Sequence, residues 1–347
     1  MKKILLLSFI FLVSELSLSA QVAPPAEDTS LVKWISFKEA FDLNKKQAKP
    51  FLIDIYTGWC GWCKYMMKTT YSNPALASYI NSYFYPVKFD AETQDTIEYL
   101  GTKYFNPTKE KRSTHQLAIK LLGRSLSYPS TIFMANNFQF SLLSAGYLEV
   151  NKIEPLLIYT VENIFKTTAY DDFRKYYELT YPETPTIDTN KIELKWYSLT
   201  QALELNKTKP KKILIDIYTN WCNGCRIMNK TTFGNPVIAT YLNKNYYLVD
   251  FNAELKDTIV FAGQTFVNNG SNGPFHQFAV AALKGNVILP SIIITNENSQ
   301  IVDAIPYYFT PESLEPIINY FGEDAYKSIK PEDFQKKFSE SKNKVQK

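Results

Sequence analysis

The sequence predicts an α/β protein made of two tandem domains, each a mixed β-sheet flanked by helices with an inserted hairpin. Three observations support this prediction. The chain has 347 residues, enough for two domains of ordinary size. Its second half repeats the first, and short apolar runs alternate with helical patterns in the same order in each half.

The internal repeat is the strongest organisational signal in the chain. Residues 33–54 are echoed by residues 195–216. Further matches recur in the same order: Thr69-Thr70 and Thr231-Thr232, Asn73-Pro74 and Asn235-Pro236, Asp95-Thr96-Ile97 and Asp257-Thr258-Ile259, and Asp172-Phe173 and Asp333-Phe334. A period of about 160 residues is too long for a solenoid, so the pattern indicates a duplicated domain.

Hydrophobic patterns place the first elements of each copy. In the first copy, residues 32–35 are predicted as a short strand, and the apolar spacing over 37–43 predicts a helix. Residues 51–56 form a short apolar and aromatic run, which suits a buried central strand. A helix begins at the first cysteine pair, and Asn73-Pro74 kinks or restarts it before residues 75–80.

The remaining elements complete a mixed sheet with helices on both faces. They are a strand, the inserted hairpin, a helix and two antiparallel strands, in order at residues 85–89, 96–105, 115–122, 131–134 and 140–145. A long helix then closes the domain, and the second copy repeats this order from Lys195 onward.

The chain also divides by composition. Lys2 and Lys3 precede an apolar run that ends in small residues, which is typical of a secretory signal peptide and too short to span a bilayer. The expected parts are a signal peptide, a flexible segment, the first domain, a proline-broken linker and the second domain, at residues 1–20, 21–30, 31–180, 181–189 and 190–347. We expect a periplasmic or secreted protein with no stable membrane insertion after signal cleavage.

The charge balance argues against nucleic-acid binding. The 38 Lys and Arg residues are scattered among 34 Asp and Glu residues, and the net charge is +4. A nucleic-acid-binding protein would carry a clustered basic face or stripe. The sequence has no flavin or nicotinamide motif either, so we expect no bound cofactor.

All four cysteines lie in two Cys-x-x-Cys pairs, Cys60 with Cys63 and Cys222 with Cys225. Export would place them where disulfides persist, and no cysteine remains to join distant segments. A cysteine at the start of a helix meets unpaired backbone N–H groups and the positive end of the helix dipole, which favour its thiolate. The sequence therefore predicts Cys60 and Cys222 as attacking nucleophiles, with Cys63 and Cys225 as the resolving residues on the same helical face.

The residues around both pairs resemble the thioredoxin superfamily. The resemblance is carried by Phe51-Leu52-Ile53-Asp54-Ile55-Tyr56 with Trp59-Cys60-Gly61-Trp62-Cys63-Lys64, and by Ile213-Leu214-Ile215-Asp216-Ile217-Tyr218 with Trp221-Cys222-Asn223-Gly224-Cys225-Arg226. It covers nearly all of both repeats. It implies tandem thioredoxin-like domains of a secreted bacterial thiol–disulfide oxidoreductase.

The resemblance implies a role for two strand aspartates. Asp54 and Asp216 interrupt apolar strands, and by resemblance each accepts a proton from the resolving cysteine; the alternative is an ordinary hydrogen-bonded aspartate. Lys88 occupies a place where thioredoxins often keep a lysine near this carboxyl. Its equivalent in the second copy is Asp250, which would raise the pKa of Asp216 if the two side chains face each other.

The resemblance also implies a substrate-binding surface. Pro129 and Pro290 would be cis-prolines facing the cysteine pairs, with trans prolines at strand starts as the alternative. Trp59 and Trp221 would bind substrate beside the cysteines.

The two histidines of the chain, His115 and His276, occupy equivalent positions at a predicted helix start. Each is either a modulator of the nearby thiols or a capping and packing residue. Glu92 and Glu254 also recur, and we interpret them as solvated loop residues.

The direction of exchange stays open, because Gly61-Trp62 and Asn223-Gly224 match neither the Gly-Pro of reducing thioredoxins nor the Gly-His of disulfide isomerases. The first interpretation is a reductase or isomerase with disulfide-containing or thiol client proteins and a separate thiol electron donor or acceptor. The alternatives are copper or zinc binding by the cysteines with histidine, and a non-catalytic interaction module. The prolines beside the thiols argue against a resident metal.

Overall fold

The computed structural model describes residues 30–123, 126–182 and 192–345. The expected signal peptide, nearly all of the flexible segment and most of the linker lie outside the described residues. Within these ranges each copy of the repeat forms an α/β unit, as the sequence predicts.

The first domain follows the predicted order. Its elements are α1 (Phe37–Lys46), β1 (Phe51–Tyr56), α2 (Gly61–Thr69), α3 (Pro74–Tyr83), β2 (Tyr85–Asp90), β3 (Ile97–Tyr99), β4 (Thr102–Tyr104), α4 (Gln116–Leu122), β5 (Ser130–Met134), β6 (Ser141–Ala145), α5 (Val150–Val161) and α6 (Tyr170–Thr180). The sheet has the order β2-β1-β5-β6, with β1 parallel to β2 and antiparallel to β5. Strands β3 and β4 form the inserted hairpin.

The second domain repeats this architecture. Its elements are β7 (Trp196–Tyr197), α7 (Leu199–Thr208), β8 (Lys212–Tyr218), α8 (Asn223–Ile227), α9 (Pro236–Asn245), β9 (Tyr246–Asn252), β10 (Ile259–Phe261), β11 (Gln264–Phe266), α10 (Gln277–Ala282), β12 (Ser291–Thr295), β13 (Ile301–Pro306), α11 (Pro311–Gly322) and α12 (Pro331–Val345). The sheet order is β13-β12-β8-β9-β7. A π-helical segment, Met228–Phe233, continues α8.

The two copies differ at their first predicted strand. In the second domain it forms β7, which runs parallel to β9. In the first domain the strand expected at 32–35 is reduced to an isolated bridge between Ile35 and Val87. The reason is Pro86, which occupies the position of Leu248 in β9. The Pro86 carbonyl accepts a hydrogen bond from the Ile35 N–H. Because proline has no N–H, the second hydrogen bond that would extend the ladder cannot form.

One hydrophobic core crosses between the domains. Apolar residues at the end of α5, in the 3-10 turn after it and in α6 pack into the same cluster as α9 and α11 of the second domain. Tyr159 and Phe173 are among the first-domain side chains buried there. The Tyr176 hydroxyl donates to the Glu312 carboxylate, whose oxygens lie 2.8 and 2.7 Å away. The C-terminal part of the first domain is therefore packed on the second.

Candidate active sites

Each cysteine pair lies at the start of a helix, just after the central strand ends. Cys60 and Cys222 are the N-cap residues of α2 and α8, and each Sγ accepts a hydrogen bond at 3.1 Å from the backbone N–H of its partner cysteine. Each pair forms a disulfide with Cα atoms 5.3 Å apart. All four side chains are buried. The position at a helix N-terminus is the one that favours a thiolate after reduction.

The two prolines singled out in the sequence follow cis peptide bonds, Tyr128-Pro129 and Leu289-Pro290. In the sheets, Ser130 pairs with Ile55 and Ser291 pairs with Ile217. Each proline therefore lies beside the carboxyl end of the central strand. The segment that leads to the cysteine pair begins at this end of the strand.

Asp54 lies in β1 and is fully buried. The Tyr71 hydroxyl donates to its Oδ1 at 3.3 Å and lies 3.4 Å from Thr131 Oγ1. Lys88 is the sheet neighbour of Asp54 on β2. Burial and then the charge of Asp54 raise the pKa of Tyr71 well above its usual value, so the phenol keeps the proton with which it bonds the carboxylate.

Asp216 occupies the same strand position with different neighbours. Phe233 stands where the first domain has Tyr71, and Asp250 is the sheet neighbour in place of Lys88. Burial and then the charge of Asp250 raise the pKa of Asp216 to about 8, which agrees with the direction expected from the sequence. Within the described residues, Asp216 Oδ1 has no hydrogen-bond partner. The two sites therefore hold their carboxyls differently.

Glu92 and Glu254 are more than solvated loop residues. Trp59 Nε1–H donates to Glu92 Oε1 at 2.7 Å, and Trp221 Nε1–H donates to Glu254 Oε1 at 3.0 Å. Both indole rings remain about half exposed beside the cysteines. The glutamates therefore orient the tryptophans, and their recurrence in both copies was the signal for this role.

Both histidines are helix caps. His115 Nδ1 accepts from the Leu117 N–H at 3.1 Å, and its Nε2 lies 3.0 Å from the Asp95 carbonyl, to which it donates. His276 makes the equivalent bonds, to the Phe278 N–H and the Asp257 carbonyl. Both ring nitrogens are thus occupied by backbone groups in the neutral tautomer. This arrangement corresponds to the capping interpretation.

Three aromatic side chains beside Cys60 were missed by sequence reasoning. We call Trp62, Tyr65 and Tyr147 the aromatic patch; their ring centroids lie 5.3 to 5.8 Å apart. Trp62 and Tyr65 are 62% and 49% exposed. Exposed aromatic groups at this density are typical of interaction surfaces.

The equivalent surface of the second domain is covered. The positions of the aromatic patch are taken there by Gly224, Ile227 and Tyr308, all of them buried. Ile227 and Tyr308 belong to the core that crosses between the domains. Glu162, from the first domain, also lies against this site, with its Oε2 3.6 Å from Cys222 Sγ. Sequence reasoning missed this residue as well.

The chain matches a protein-family model. The Thioredox_DsbH family model, described as a protein of unknown function, DUF255, matches residues 25–162 and 186–281. The chain belongs to this family. Its two matched segments fit the two thioredoxin-like domains, and the thioredoxin superfamily fold expected from the sequence is confirmed.

Three proteins illustrate what parts of this Thioredox_DsbH chain are similar to. The thiol:disulfide interchange protein DsbD of Pectobacterium atrosepticum is 27% identical over 67 residues, which is 18% of this chain and only 12% of that protein. A solved DsbH oxidoreductase is 14% identical, with a TM-score of 0.30, covering 41% of this chain and 92% of its own. A thioredoxin-fold protein from Helicobacter pylori is also 14% identical at a TM-score of 0.30, covering 47% and 93%.

Family membership and the two Cys-x-x-Cys disulfides support a role in thiol–disulfide redox chemistry for this Thioredox_DsbH protein. In the described ranges, no group of three or more His, Cys, Asp or Glu side chains is arranged to hold a metal ion. Over the same ranges, every helix is too short or too polar to cross a bilayer.

Proposed function

We propose that the protein is a thiol–disulfide oxidoreductase that acts on protein clients as a reductase or isomerase. The observation that carries this proposal is one arrangement found twice: a helix-capping cysteine, its partner three residues on, a cis-proline and a buried carboxyl. A disulfide that only stapled the chain would need neither the proline nor the carboxyl.

The chemistry at the first site runs in two steps. The Cys60 thiolate attacks a client disulfide R–S–S–R′, forming Cys60–S–S–R and releasing R′–S⁻, which takes up a proton. Cys63 then attacks Cys60 Sγ, so that R–S⁻ leaves and the Cys60–Cys63 disulfide forms. Asp54 is the group proposed to accept the Cys63 proton. A separate dithiol donor returns the two electrons, and no bound cofactor is required.

Trapping of mixed disulfides tests the proposal. In Cys63→Ala and Cys225→Ala, the attacking cysteine remains but the resolving step is removed, so client proteins should accumulate as mixed disulfides on Cys60 and Cys222. Non-reducing electrophoresis followed by mass spectrometry would identify them. The control for each variant lacks both cysteines of the pair. Equal recovery of clients from the variant and its control would count against exchange as the function.

The aromatic patch is proposed to help hold clients at the first site. Tyr65→Ala should raise KM for a peptide disulfide about fivefold or more, since truncating an anchoring interface aromatic typically costs over about 1 kcal/mol. Tyr65 lies outside the Cys-x-x-Cys motif, so alkylation of Cys60 by iodoacetamide should keep its rate. A fall in that alkylation rate would show that Tyr65 acts on the cysteine and not on the client.

Export of the chain is part of the proposal and rests on the charged and apolar pattern of residues 1–20. The mature protein recovered from a periplasmic or culture fraction should begin at Gln21, which N-terminal sequencing or intact mass would establish. Recovery of the chain with Met1 from the cytoplasmic fraction would contradict it.

A further inference from the structure

A carboxyl group of the first domain reaches into the second redox site. Glu162, directly after α5, is 8% exposed. Its Oε1 accepts a hydrogen bond from the Asn223 N–H at 2.9 Å, and its Oε2 accepts one from the Gly224 N–H at 2.6 Å. The same Oε2 lies 3.6 Å from Cys222 Sγ. Glu162 therefore touches the sulfur atom that the proposed exchange uses.

The two repeats differ at the residues that make this contact in the second site. Glu323 is the equivalent of Glu162 and is exposed. A Cβ atom at Gly224 would lie 2.3 Å from Glu162 Oε2 and would displace the carboxyl, so its observed position requires glycine here. The first site has the exposed Trp62 at that position. The site that holds the carboxyl therefore has glycine at this position of the central dipeptide, and the site without it has tryptophan.

The surroundings of Glu162 favour its protonated form while the disulfide is intact. Burial raises the pKa of Glu162 to about 8, against the opposing influence of the Gly224 and Asn223 N–H groups and of Arg226 on α8. Tyr79 on α3 also faces it, and burial with the charge of Glu162 raises the pKa of this phenol, which stays neutral. A disulfide sulfur has no hydrogen, so the contact with Cys222 is a hydrogen bond when Glu162 supplies the proton.

We propose that Glu162 is a catalytic residue of the second site, the proton carrier for Cys222 supplied by the neighbouring domain. The inference rests on the proposed function. In the reduced site the Cys222 thiol gives its proton to the Glu162 carboxylate, and the thiolate attacks a client disulfide R–S–S–R′; the Cys222–S–S–R bond forms, and R′–S⁻ leaves and takes a proton from solvent. Cys225 then gives its proton to Asp216 and attacks Cys222 Sγ, so that the Cys222–Cys225 disulfide forms and R–S⁻ leaves and takes up a proton. Glu162 keeps the transferred proton while the site is oxidised. When the dithiol donor later displaces Cys222, Glu162 returns the proton to its sulfur.

The test follows Cys222 alone, in the full chain with Cys60, Cys63 and Cys225 replaced by serine. Asp216 is replaced by asparagine in every protein compared, because its pKa is also raised to about 8 and its titration would fall in the same pH range. The probe is iodoacetamide, and the alkylation rate is measured from about pH 5 to about pH 10. Two ionisable groups that interact by more than about one pK unit lose their protons in two macroscopic steps that belong to the pair. We expect two steps when Glu162 is present and one step in Glu162→Gln. Glu323→Gln is the matched control and should keep both steps.

A role for Glu162 as a helix cap alone predicts a different result. Because glutamine keeps the shape and one acceptor oxygen, a cap would change the stability slightly and would give a single step in both proteins. A single step with Glu162 present, or two steps in Glu162→Gln, overturns the proposal. Gly224→Ala is a second variant, in which the added Cβ displaces the carboxyl; it should also show one step, with circular dichroism confirming the fold.

The alkylation measurement needs no client, so it separates this inference from the proposed function. If the intact Cys222–Cys225 site failed to exchange with a peptide disulfide while the two-step profile was seen, the proposed function would fail and the pairing of Glu162 with Cys222 would stand. If the site exchanged but the profile had a single step, the proposed function would stand and the role of Glu162 would fail.

Discussion

Cys60→Ser will abolish disulfide exchange at the first site and leave the second site active, and Cys222→Ser will do the reverse. Serine is close in size, so the fold should persist, but its hydroxyl has no accessible oxyanion near neutral pH and cannot form a disulfide. The expected effect is a fall to the uncatalysed rate, because the attacking atom is lost and not merely displaced.

The measurement uses each variant with the other cysteine pair replaced by serine, so that a single site reports. Reduced protein is mixed with a peptide that contains one disulfide, and the released thiol is counted. Cys63→Ser and Cys225→Ser are the matched comparisons, since they should form the mixed disulfide and then stop. If Cys60→Ser still forms a mixed disulfide through Cys63, the order of attack assigned here is reversed.

The sheet and the cysteine helices could be predicted from local pattern. The run at 51–56 is observed as β1, and the restart at Asn73-Pro74 is the N-cap and first residue of α3. In both cases neighbouring residues decide the structure. The strand expected at 32–35 failed because its pairing depends on Pro86, which lies about 50 residues further along the chain.

The site residues that sequence reasoning missed depend on contacts between distant parts of the chain. Glu162 ends a helix of one domain and meets Cys222 of the other, and no local pattern marks it. A signal was nevertheless present: Trp62 and Tyr65 are replaced by Gly224 and Ile227 in the second copy, as expected where an exposed surface becomes covered. The roles of the histidines were ambiguous for a related reason, because the carbonyl that holds each Nε2 lies 19 or 20 residues away.

Asp216→Asn will stabilise the second domain, and the gain will grow as the pH rises from about 4 towards 8. Burial and Asp250 raise the pKa of Asp216 to about 8 in the folded protein, whereas the unfolded chain ionises near the ordinary value of about 3.9. Between these values the folded state binds one more proton than the unfolded state. The free energy of unfolding that Asp216 contributes therefore falls as the pH rises through this window.

Asparagine removes this dependence because it has no charge to bury. We expect the difference in free energy of unfolding between Asp216→Asn and the parent protein to be at least about 1.4 kcal/mol larger at pH 8 than at pH 4, the value of one unit of pKa shift. Glu162 titrates in both proteins and cancels in the difference. Urea unfolding with both disulfides intact, followed at several pH values, measures it.

Asp250→Asn separates the two causes of the shift. Because the charge of Asp250 adds to burial in raising the pKa of Asp216, its removal should lower that pKa and end the loss of stability at a lower pH, while burial keeps part of the effect. The pH dependence of exchange at the second site should shift in the same direction in Asp250→Asn, because Asp216 is the group proposed to accept the Cys225 proton. A stability difference that does not change between pH 4 and pH 8 would mean that Asp216 ionises normally in the folded protein.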